Sequence, residues 1–137
     1  VLTYYESILD NLSCCHNFDV YGQLDYIARY IPANSYAYDW HDFDDLINTI
    51  LKTIIEKGKG IEINTAGLKY GMPEPNPCLG IVKMYHDLGG EIITVGSDAH
   101  EVKFFAYRFD VVADMLKNAG FNYYTIFNER KPEFIRL

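Results

Sequence analysis

Apolar residues recur along the chain with two periods, one typical of helices and one typical of strands. A helical period with acidic residues on the opposite face covers Leu2 to Leu12. An aliphatic stripe between Asp42 and Gly58 predicts a second helix, with Asp42 as its N-terminal cap and Gly58 as its C-terminal cap. The same spacing predicts further helices at Leu24 to Tyr30, from Pro77 in a first turn to Leu88, and from Phe109 to the cap Gly120.

Short runs rich in β-branched and aromatic residues lie between these helices and predict strands. The strands are Phe18 to Tyr21, Gly60 to Asn64, Glu91 to Val95 and Tyr123 to Phe127, and the segments Ile31 to Trp40 and Thr65 to Asn76 are predicted loops. Strands that alternate with helices form right-handed βαβ units, so the sequence predicts an α/β fold with a parallel sheet. Four strands are too few to close a barrel. We therefore expect a missing N-terminal half, a second copy or a rearrangement to cover the open edges.

Polar side chains follow three of the predicted strands at the points where these strands end. Gln23 follows the first strand, Glu62 and Asn64 alternate along the second, and Asp98 and His100 follow the third. In a (β/α) barrel the carboxyl ends of the strands face one common site. The sequence therefore predicts that these side chains share a site.

Asp98 and His100 have the clearest metal-binding chemistry in this set. A carboxylate and an imidazole two residues apart in extended chain point the same way and can reach one divalent cation. The alternative is a capping aspartate beside a surface histidine. Glu62 and Asn64 face the same side of their strand, where they either line the site or form a hydrogen-bond network at the edge of the core.

The composition excludes several classes of function. The chain has 137 residues, of which 49% are hydrophobic, so it is the size of one domain with a substantial core. Its net charge of -7 argues against a general role in binding nucleic acid or membrane surfaces. Three cysteines without a C-x-x-C pair, no long apolar run and no signal peptide favour a cytoplasmic protein. The chain begins at Val1 inside a predicted helix, so we interpret it as a truncated or processed product.

Three sequence blocks carry a resemblance to a known family. They are Phe18-Asp19-Val20-Tyr21-Gly22-Gln23-Leu24-Asp25, Ile61-Glu62-Ile63-Asn64-Thr65 and Gly96-Ser97-Asp98-Ala99-His100. In order and spacing these blocks resemble the C-terminal half of a PHP-type histidinol-phosphatase, and the resemblance extends to Pro132. It implies that residues 1–137 are a single partial PHP domain, the C-terminal half of a distorted (β/α)7 barrel with parallel strands. The family's N-terminal His-x-His motif is absent from this sequence.

The resemblance also implies roles for individual residues in a metal site. Asp98 and His100 match the family's last metal-binding motif, so both are expected metal ligands. Asp98 is then also expected to be catalytic, together with Glu62, which organises the metal cluster or its water. At Gln23 the family usually has a histidine ligand, and glutamine is a much poorer ligand for zinc-like ions. This departure puts one metal position in doubt.

The expected substrate-binding residues are Arg108, Arg29 and Asn64. Arg108 precedes Phe109-Asp110, as an arginine often does in the family, and its planar fork of donors suits phosphate oxygens. A solvated residue at the start of a helix is the alternative for Arg108. Arg29 belongs to an Arg-Tyr pair that often ends the first family block.

The function implied by the resemblance is hydrolysis of histidinol phosphate to histidinol, a step of histidine biosynthesis, by a cytoplasmic enzyme with two or three divalent metals (Zn, Mn or Fe). Two alternatives stay open. One is a related phosphoesterase with another substrate. The other is a catalytically degenerate module with an assembly or regulatory role, in which Gln23 is the substitution that removes a metal ligand.

Because the ligand set is incomplete, we expect residues 1–137 alone to bind metal weakly and to lack useful activity. We also expect them to pair with the missing half or with a second copy.

Overall fold

The computed structural model describes residues 1–31 and 38–137. The helices are α1 (Leu2–Cys14), α2 (Asp44–Glu56), α3 (Leu79–Asp87) and α4 (Phe109–Ala119). The strands are β1 (Val20–Tyr21), β2 (Gly60–Asn64), β3 (Ile93–Gly96), β4 (Tyr123–Asn128) and β5 (Lys131–Arg136). Most of the predicted loop from Ile31 to Trp40 falls on residues 32–37, which lie outside the described residues.

β2 is the central strand of a three-stranded parallel sheet. It pairs with β1 on one side, where Val20 lies opposite Gly60, and with β3 on the other, where Asn64 lies opposite Gly96. This architecture confirms the predicted α/β fold class. Because the three strands run in the same direction, the residues that follow β1 and β3 meet the end of β2 at one edge of the sheet.

The predicted apolar stripes form the core and fix the position of β2. α1 and α2 pack against each other, and the core they share with the sheet consists of fully or almost fully buried side chains: Tyr5, Ile8, Leu12, Ile47, Ile50, Leu51, Ile54, Ile61 and Ile63. Burying each aliphatic side chain contributes about 1.5–3 kcal/mol, so this packing dominates the stability of the fold. Within the described ranges, no helix is both long enough and apolar enough to cross a membrane.

The prediction that the fourth strand joins the parallel sheet is wrong. β4 pairs antiparallel with β5, with Thr125 opposite Phe134, and the two strands form a separate hairpin. The turn residues Glu129 and Arg130 have φ angles of 50° and 64°. Such turns usually contain Asn-Gly or Asp-Gly, whereas Glu-Arg gives no hairpin signal. The periodicity of the sequence alone therefore does not predict that the chain turns back.

The hairpin is attached to both outer strands of the parallel sheet. The Thr125 hydroxyl accepts a hydrogen bond from the Ile93 N–H at 3.1 Å, at the start of β3. At the hairpin turn, the Arg130 guanidinium donates to both carboxylate oxygens of Asp19, at 2.9 and 3.1 Å. Asp19 directly precedes β1, so the hairpin spans the amino-terminal ends of the sheet, away from the polar strand ends.

The predicted cap of α2 is wrong. Asp42 lies inside a short 3₁₀ turn, Trp40–Phe43, that precedes the helix. The cap of this turn is Asp39, whose side chain accepts a hydrogen bond from the His41 N–H at 3.0 Å. The N-cap of α2 itself is Phe43, which makes no side-chain cap hydrogen bond, so neither aspartate caps the helix directly.

The start of α3 and the C-cap of α2 also differ from the prediction, whereas Gly120 is the C-cap of α4 as predicted. The C-cap of α2 is Lys57, one residue before Gly58. Pro77 is not in the first turn, because Cys78 is the N-cap and α3 begins one residue later. At the other ends, Gly58 and Gly120 have φ angles of 66° and 106°. Glycine adopts this left-handed conformation without steric penalty, which explains why both helices end there.

Candidate functional site

Gln23 and Asp98 are in direct contact at the carboxyl ends of the outer strands. Gln23 follows β1, Asp98 follows β3, and Gln23 Nε2 donates a hydrogen bond to Asp98 Oδ2 at 3.2 Å. The two residues have φ angles of 56° and 44°. Non-glycine residues rarely adopt this conformation, and it is concentrated at functional sites. The fold thus joins two sequence-predicted site residues that are 75 positions apart.

The Glu62 carboxylate lies between two glycines of the neighbouring strand ends. A Cβ atom added at Gly22 would lie 3.1 Å from Glu62 Oε2, and one added at Gly96 would overlap Glu62 Oε1. Burial raises the pKa of Glu62, a hydrogen bond from Asn64 opposes this shift, and the Asp98 charge raises the pKa further. Glu62 is therefore part of the same electrostatic site as Asp98.

Arg29 is held by the side chains of two asparagines. It lies on a 3₁₀ turn, Tyr26–Tyr30, instead of the α-helix that the sequence predicts there. Its Nε donates to Asn76 Oδ1 at 2.8 Å, and its Nη2 donates to Asn64 Oδ1 at 3.3 Å. The guanidinium carbon lies 4.6 Å from the centre of the Tyr26 ring, in a cation–π contact. Arg29 thus has a defined orientation at the site.

Asp25 is a buried carboxylate that the sequence analysis did not select. Its side chain accepts hydrogen bonds from Asn76 Nδ2 at 2.8 Å and from the Cys78 N–H at 3.1 Å. Burial raises the pKa of Asp25 to about 6, although these hydrogen bonds and the charge of Arg29 oppose the shift. Asp25 is the last residue of the Gly-x-Leu-Asp block, and this was the only indication in the sequence that it could belong to the site. Its hydrogen-bond partner Asn76 lies in a loop without periodicity, so the contact between the two residues could not be predicted.

Lys69 is a second cation at the site and was also missed in the sequence. Its Nζ donates to the Ser97 carbonyl oxygen at 2.6 Å and lies 3.4 Å from the carbonyl oxygen of Asp98. It also lies 4.7 Å from the centre of the Phe104 ring. Lys69 therefore ties the loop after β2 to the backbone at Asp98. The only indication in the sequence that Lys69 belongs to the site was its position in a loop at the carboxyl end of a strand.

These groups surround a cleft of about 370 Å³ at the carboxyl edge of the sheet. The cleft combines cations, metal-binding side chains and exposed aromatic rings, and its lining residues are Tyr26, Arg29, Tyr30, Ala66, Lys69, Tyr70, Met72, Asp98 and His100. Three of the sequence-predicted residues, Arg29, Asp98 and His100, thus share one cleft. Gln23, Glu62 and Asn64 are linked to it by the contacts given above.

Comparisons with known proteins identify relatives of this chain. The chain is 43% identical over 110 residues to a protein of Thermotoga maritima named "Probable histidinol-phosphatase", and 31% identical over 117 residues to one of the same name from Clostridium acetobutylicum. Its fold matches the crystal structure of histidinol phosphate phosphatase from Lactococcus lactis, in complex with zinc, L-histidinol and phosphate, with a TM-score of 0.80 and 26% identity. The chain is a homologue of the PHP-type histidinol-phosphatases.

The match to these histidinol-phosphatases covers most of this chain and part of each relative. It includes 80% and 85% of this chain but 44% and 46% of the two sequence relatives. In the structural comparison it includes 96% of this chain and 50% of the Lactococcus chain. This chain therefore spans about half the length of the histidinol-phosphatases it matches. No protein-family model matches it.

Arg108, the expected phosphate ligand, lies outside the lining of the cleft. It is the N-cap of α4, with a left-handed φ of 54°, and its side chain is 51% exposed. Its Nε lies 3.5 Å from Asp110 Oδ1, a weak pair on the surface. Among the described residues that line the cleft, the arginine and the lysine are Arg29 and Lys69. A substrate contact by Arg108 stays a prediction.

The donor set of the cleft fits part of a divalent metal site. Asp98 offers a carboxylate and His100 an imidazole, the ligand types that zinc prefers, and the Gln23 amide beside Asp98 is a weaker donor. Across residues 1–31 and 38–137, however, no three His, Cys, Asp or Glu side chains are grouped so that they could hold a metal ion. The described residues therefore contain donors for part of such a site and do not form a complete one.

Proposed function

We propose that this chain forms part of the active site of a metal-dependent phosphatase that hydrolyses histidinol phosphate to histidinol. The observation that carries the proposal is the cleft in which Arg29, Asp98 and His100 come together. Homology supports the choice of substrate, because the related crystal structure contains zinc, L-histidinol and phosphate. The cleft supplies the two requirements of this reaction, cations for a phosphate group and ligands for a metal ion.

The phosphate group of the substrate binds to Arg29 and Lys69. The chain as a whole has a net charge of -7, so these two cations in one cleft provide the local positive charge that a phosphate ester needs. Two N–H groups of Arg29 bind asparagine oxygens, which leaves three of the five guanidinium N–H groups for phosphate oxygens. Asn64 contributes indirectly by orienting this guanidinium.

Asp98 and His100 hold the metal ion, with Gln23 as a weak third donor. When bound, the metal polarises the phosphoryl oxygens and lowers the pKa of a water molecule. Glu62 binds the attacking water and accepts its proton, a role that suits a carboxyl group whose pKa is raised by burial. The three carboxylate and imidazole groups thus activate the water, while the cations hold the ester.

Residues 1–137 form one partial PHP domain in this proposal. The missing metal ligands come from outside these residues, either from the other half of the barrel or from a second copy of the chain. The complete enzyme uses two or three Zn, Mn or Fe ions and acts in the cytoplasm, in histidine biosynthesis. Its substrate is a small phosphate ester, in agreement with the limited volume of the cleft.

The test compares substrates on the protein expressed from its complete coding sequence. Phosphate release is measured from histidinol phosphate and from p-nitrophenyl phosphate, each with Zn²⁺ and with Mn²⁺. Because the cleft is built from oriented polar groups, kcat/KM for histidinol phosphate should exceed that for the generic ester by about a hundredfold or more. Equal values for the two esters would reject histidinol phosphate as the substrate.

A catalytically degenerate module is the second candidate, and one observation favours it. Gln23 stands where the resemblance places a histidine ligand, and its amide nitrogen donates to Asp98 Oδ2, one of the two carboxylate oxygens of an expected metal ligand. In this case the protein has an assembly or regulatory role, and its metal content stays low even in the complete protein. The metal content of the complete protein, measured together with turnover, separates the two candidates.

A further inference from the structure

Asparagine side chains separate Arg29 from the two carboxylates around it. On one side Arg29 Nε donates to Asn76 Oδ1 at 2.8 Å, and Asn76 Nδ2 donates to Asp25 Oδ1 at 2.8 Å. On the other side Arg29 Nη2 donates to Asn64 Oδ1 at 3.3 Å, and Asn64 Nδ2 donates to Glu62 Oε2 at 3.4 Å. The result is a continuous hydrogen-bonded row of acid, amide, guanidinium, amide and acid.

The buried end of this row determines how the Asn76 amide is oriented. Asp25 is 3% exposed and Asn76 is 0% exposed. A carboxylate without a proton only accepts hydrogen bonds, so Asn76 must turn its NH₂ group toward Asp25 and its oxygen toward Arg29. The second Asp25 oxygen accepts the Cys78 N–H at 3.1 Å, which fixes the carboxylate as well.

The backbone holds the two asparagines in a fixed relation to each other. The Asn64 N–H donates to the Asn76 carbonyl oxygen at 2.7 Å, and the Asn76 N–H donates to the Asn64 carbonyl oxygen at 3.0 Å. This isolated bridge joins the end of β2 to the loop before α3. The backbone bridge therefore fixes the distance between the two amide oxygens that accept hydrogen bonds from Arg29. These two hydrogen bonds set the orientation of the guanidinium plane.

The amide between Asp25 and Arg29 has an electrostatic consequence. A carboxylate in direct contact would form a bidentate ion pair with the guanidinium and would occupy the donors that an anion needs. Among the described residues, no carboxylate forms such a pair with Arg29. The neutral amide thus orients Arg29 while leaving its charge available to the cleft.

We propose that Asp25 is a positioning residue that acts through Asn76 to orient the Arg29 guanidinium toward an anion in the cleft. Asp25 itself does not touch the anion, because it is buried behind Asn76. The inference rests on the proposed function only in identifying that anion as the phosphate group of a substrate. The same geometry serves any phosphate-like anion bound beside Arg29.

The decisive variant exchanges the acid and the amide, as Asp25→Asn combined with Asn76→Asp. The exchange is isosteric, and an asparagine at 25 can accept from the Cys78 N–H while donating to an aspartate at 76. The fold is therefore expected to persist, but a carboxylate now contacts Arg29 Nε directly. The affinity for inorganic phosphate, titrated without added metal by isothermal calorimetry, should fall by about tenfold because the cation is neutralised.

Two further variants assign the effect to Arg29. Asp25→Leu removes the carboxylate at similar volume and should also weaken phosphate binding by about tenfold, since the Asn76 amide loses its fixed orientation. In an Arg29→Met background, the exchange and Asp25→Leu should cause no additional loss. Asp10→Asn, which makes the same chemical change as Asp25→Asn on an exposed aspartate of α1, is the matched control and should leave phosphate affinity unchanged. Circular dichroism and thermal unfolding report on the fold of each variant, and the isosteric exchange decides if Asp25→Leu does not fold.

Several results would overturn the proposal. The first is an unchanged phosphate affinity in the exchange variant. The second is a loss of phosphate affinity, on exchange or on Asp25→Leu, that is as large in the Arg29→Met background as in the wild type. The third is the absence of phosphate binding by the wild-type protein. Turnover of histidinol phosphate is measured separately on the wild-type protein. A protein that binds phosphate in the expected pattern but does not hydrolyse histidinol phosphate would reject the proposed function and retain the role of Asp25.

Discussion

The Glu62 carboxylate occupies the space that any side chain at Gly96 would need. A Cβ atom built on Gly96 overlaps Glu62 Oε1 and lies 3.5 Å from Asn64 Nδ2. Gly96 is the last residue of β3 and lies opposite Asn64 in β2, so the Glu62 side chain extends along the sheet toward the strand ends. The Glu62 carboxylate can therefore occupy its observed position only because residue 96 has no side chain.

We predict that Gly96→Ala displaces the Glu62 carboxylate and destabilises the protein. The overlapping atom is the end of a flexible side chain, so Glu62 can move aside. The free energy of unfolding should therefore fall by only about 1 kcal/mol, the low end of the range for overpacking, while the activity of the complete protein falls because the carboxylate is displaced. Gly22→Ala is the matched control, because its Cβ would lie 3.1 Å from Glu62 Oε2 and requires only a small shift. Urea unfolding of both variants measures the difference. Equal destabilisation would show that the Gly96 contact has no special role.

The Asp19–Arg130 pair predicts a dependence of stability on pH. The hydrogen bonds from Arg130 hold the pKa of Asp19 below its ordinary value of 3.8. A lowered carboxylate pKa means that the pair stabilises the fold above the ordinary value and that this contribution is lost as the pH falls through the folded-state pKa. Asp19→Asn should therefore lower Tm at pH 7, and the difference from wild type should shrink as the pH falls below the ordinary carboxyl pKa of 3.8.

The control for this pH experiment is Asp10→Asn, on the exposed face of α1. It removes the same type of charge at a position where the structure shows no ion pair among the described residues. Its Tm should follow that of the wild type at both pH values. A Tm difference for Asp19→Asn that persists unchanged at low pH would contradict the ion-pair interpretation.

We predict that Gln23→His increases zinc affinity by about tenfold or more, because imidazole is a much better zinc ligand than a carboxamide. The contact between Gln23 and Asp98 shows that a side chain at position 23 reaches the expected ligand. Competition with a chromogenic chelator measures the affinity, and Gln23→Leu serves as the variant without a donor. If the histidine and leucine variants bind zinc equally, position 23 is not a metal position.

The isolated chain of residues 1–137 is predicted to bind metal weakly, to lack useful phosphatase activity and to associate with another polypeptide. The reason is the ligand count, since no group of three suitable side chains exists among the described residues. Analytical ultracentrifugation, metal analysis and phosphate release on the same preparation test this prediction. A monomer with stoichiometric metal and turnover would contradict it.

The sequence predicts the site best where a strand ends. The alternation of strands and helices predicts a parallel sheet, and the carboxyl ends of parallel strands, which Gln23 and Asp98 follow, lie at one edge. The order β1-β2-β3, which places these two residues on either side of β2, is known only from the structure. Lys69 and Asn76 could not be found in this way. Both lie in the irregular segment after β2, where the position of a side chain depends on long-range contacts such as the bond from Lys69 to Ser97.

The fold itself departs from the sequence prediction where local signals are weak. The hairpin turn at Glu129 and Arg130 lacks glycine and asparagine, so β4 looks like another parallel strand until its pairing with β5 is known. The role of Arg108 stays a prediction, because the family motif that suggests it does not say which side chains line the cleft. In the structure Arg108 lies beside Asp110 and outside the lining of the cleft.

The left-handed backbone at Gln23 and Asp98 affects how this sequence would change under selection. Gln23 loses about 1–2 kcal/mol relative to glycine, whereas Asp98 loses less, because aspartate tolerates this conformation better than most residues do. In a library selected only for folding, glycine or asparagine should therefore replace Gln23 and Asp98 early, and the contact between them would disappear. Selection for phosphate hydrolysis acts in the opposite direction at Asp98, so the residues recovered at these two positions would record which selection pressure had been applied.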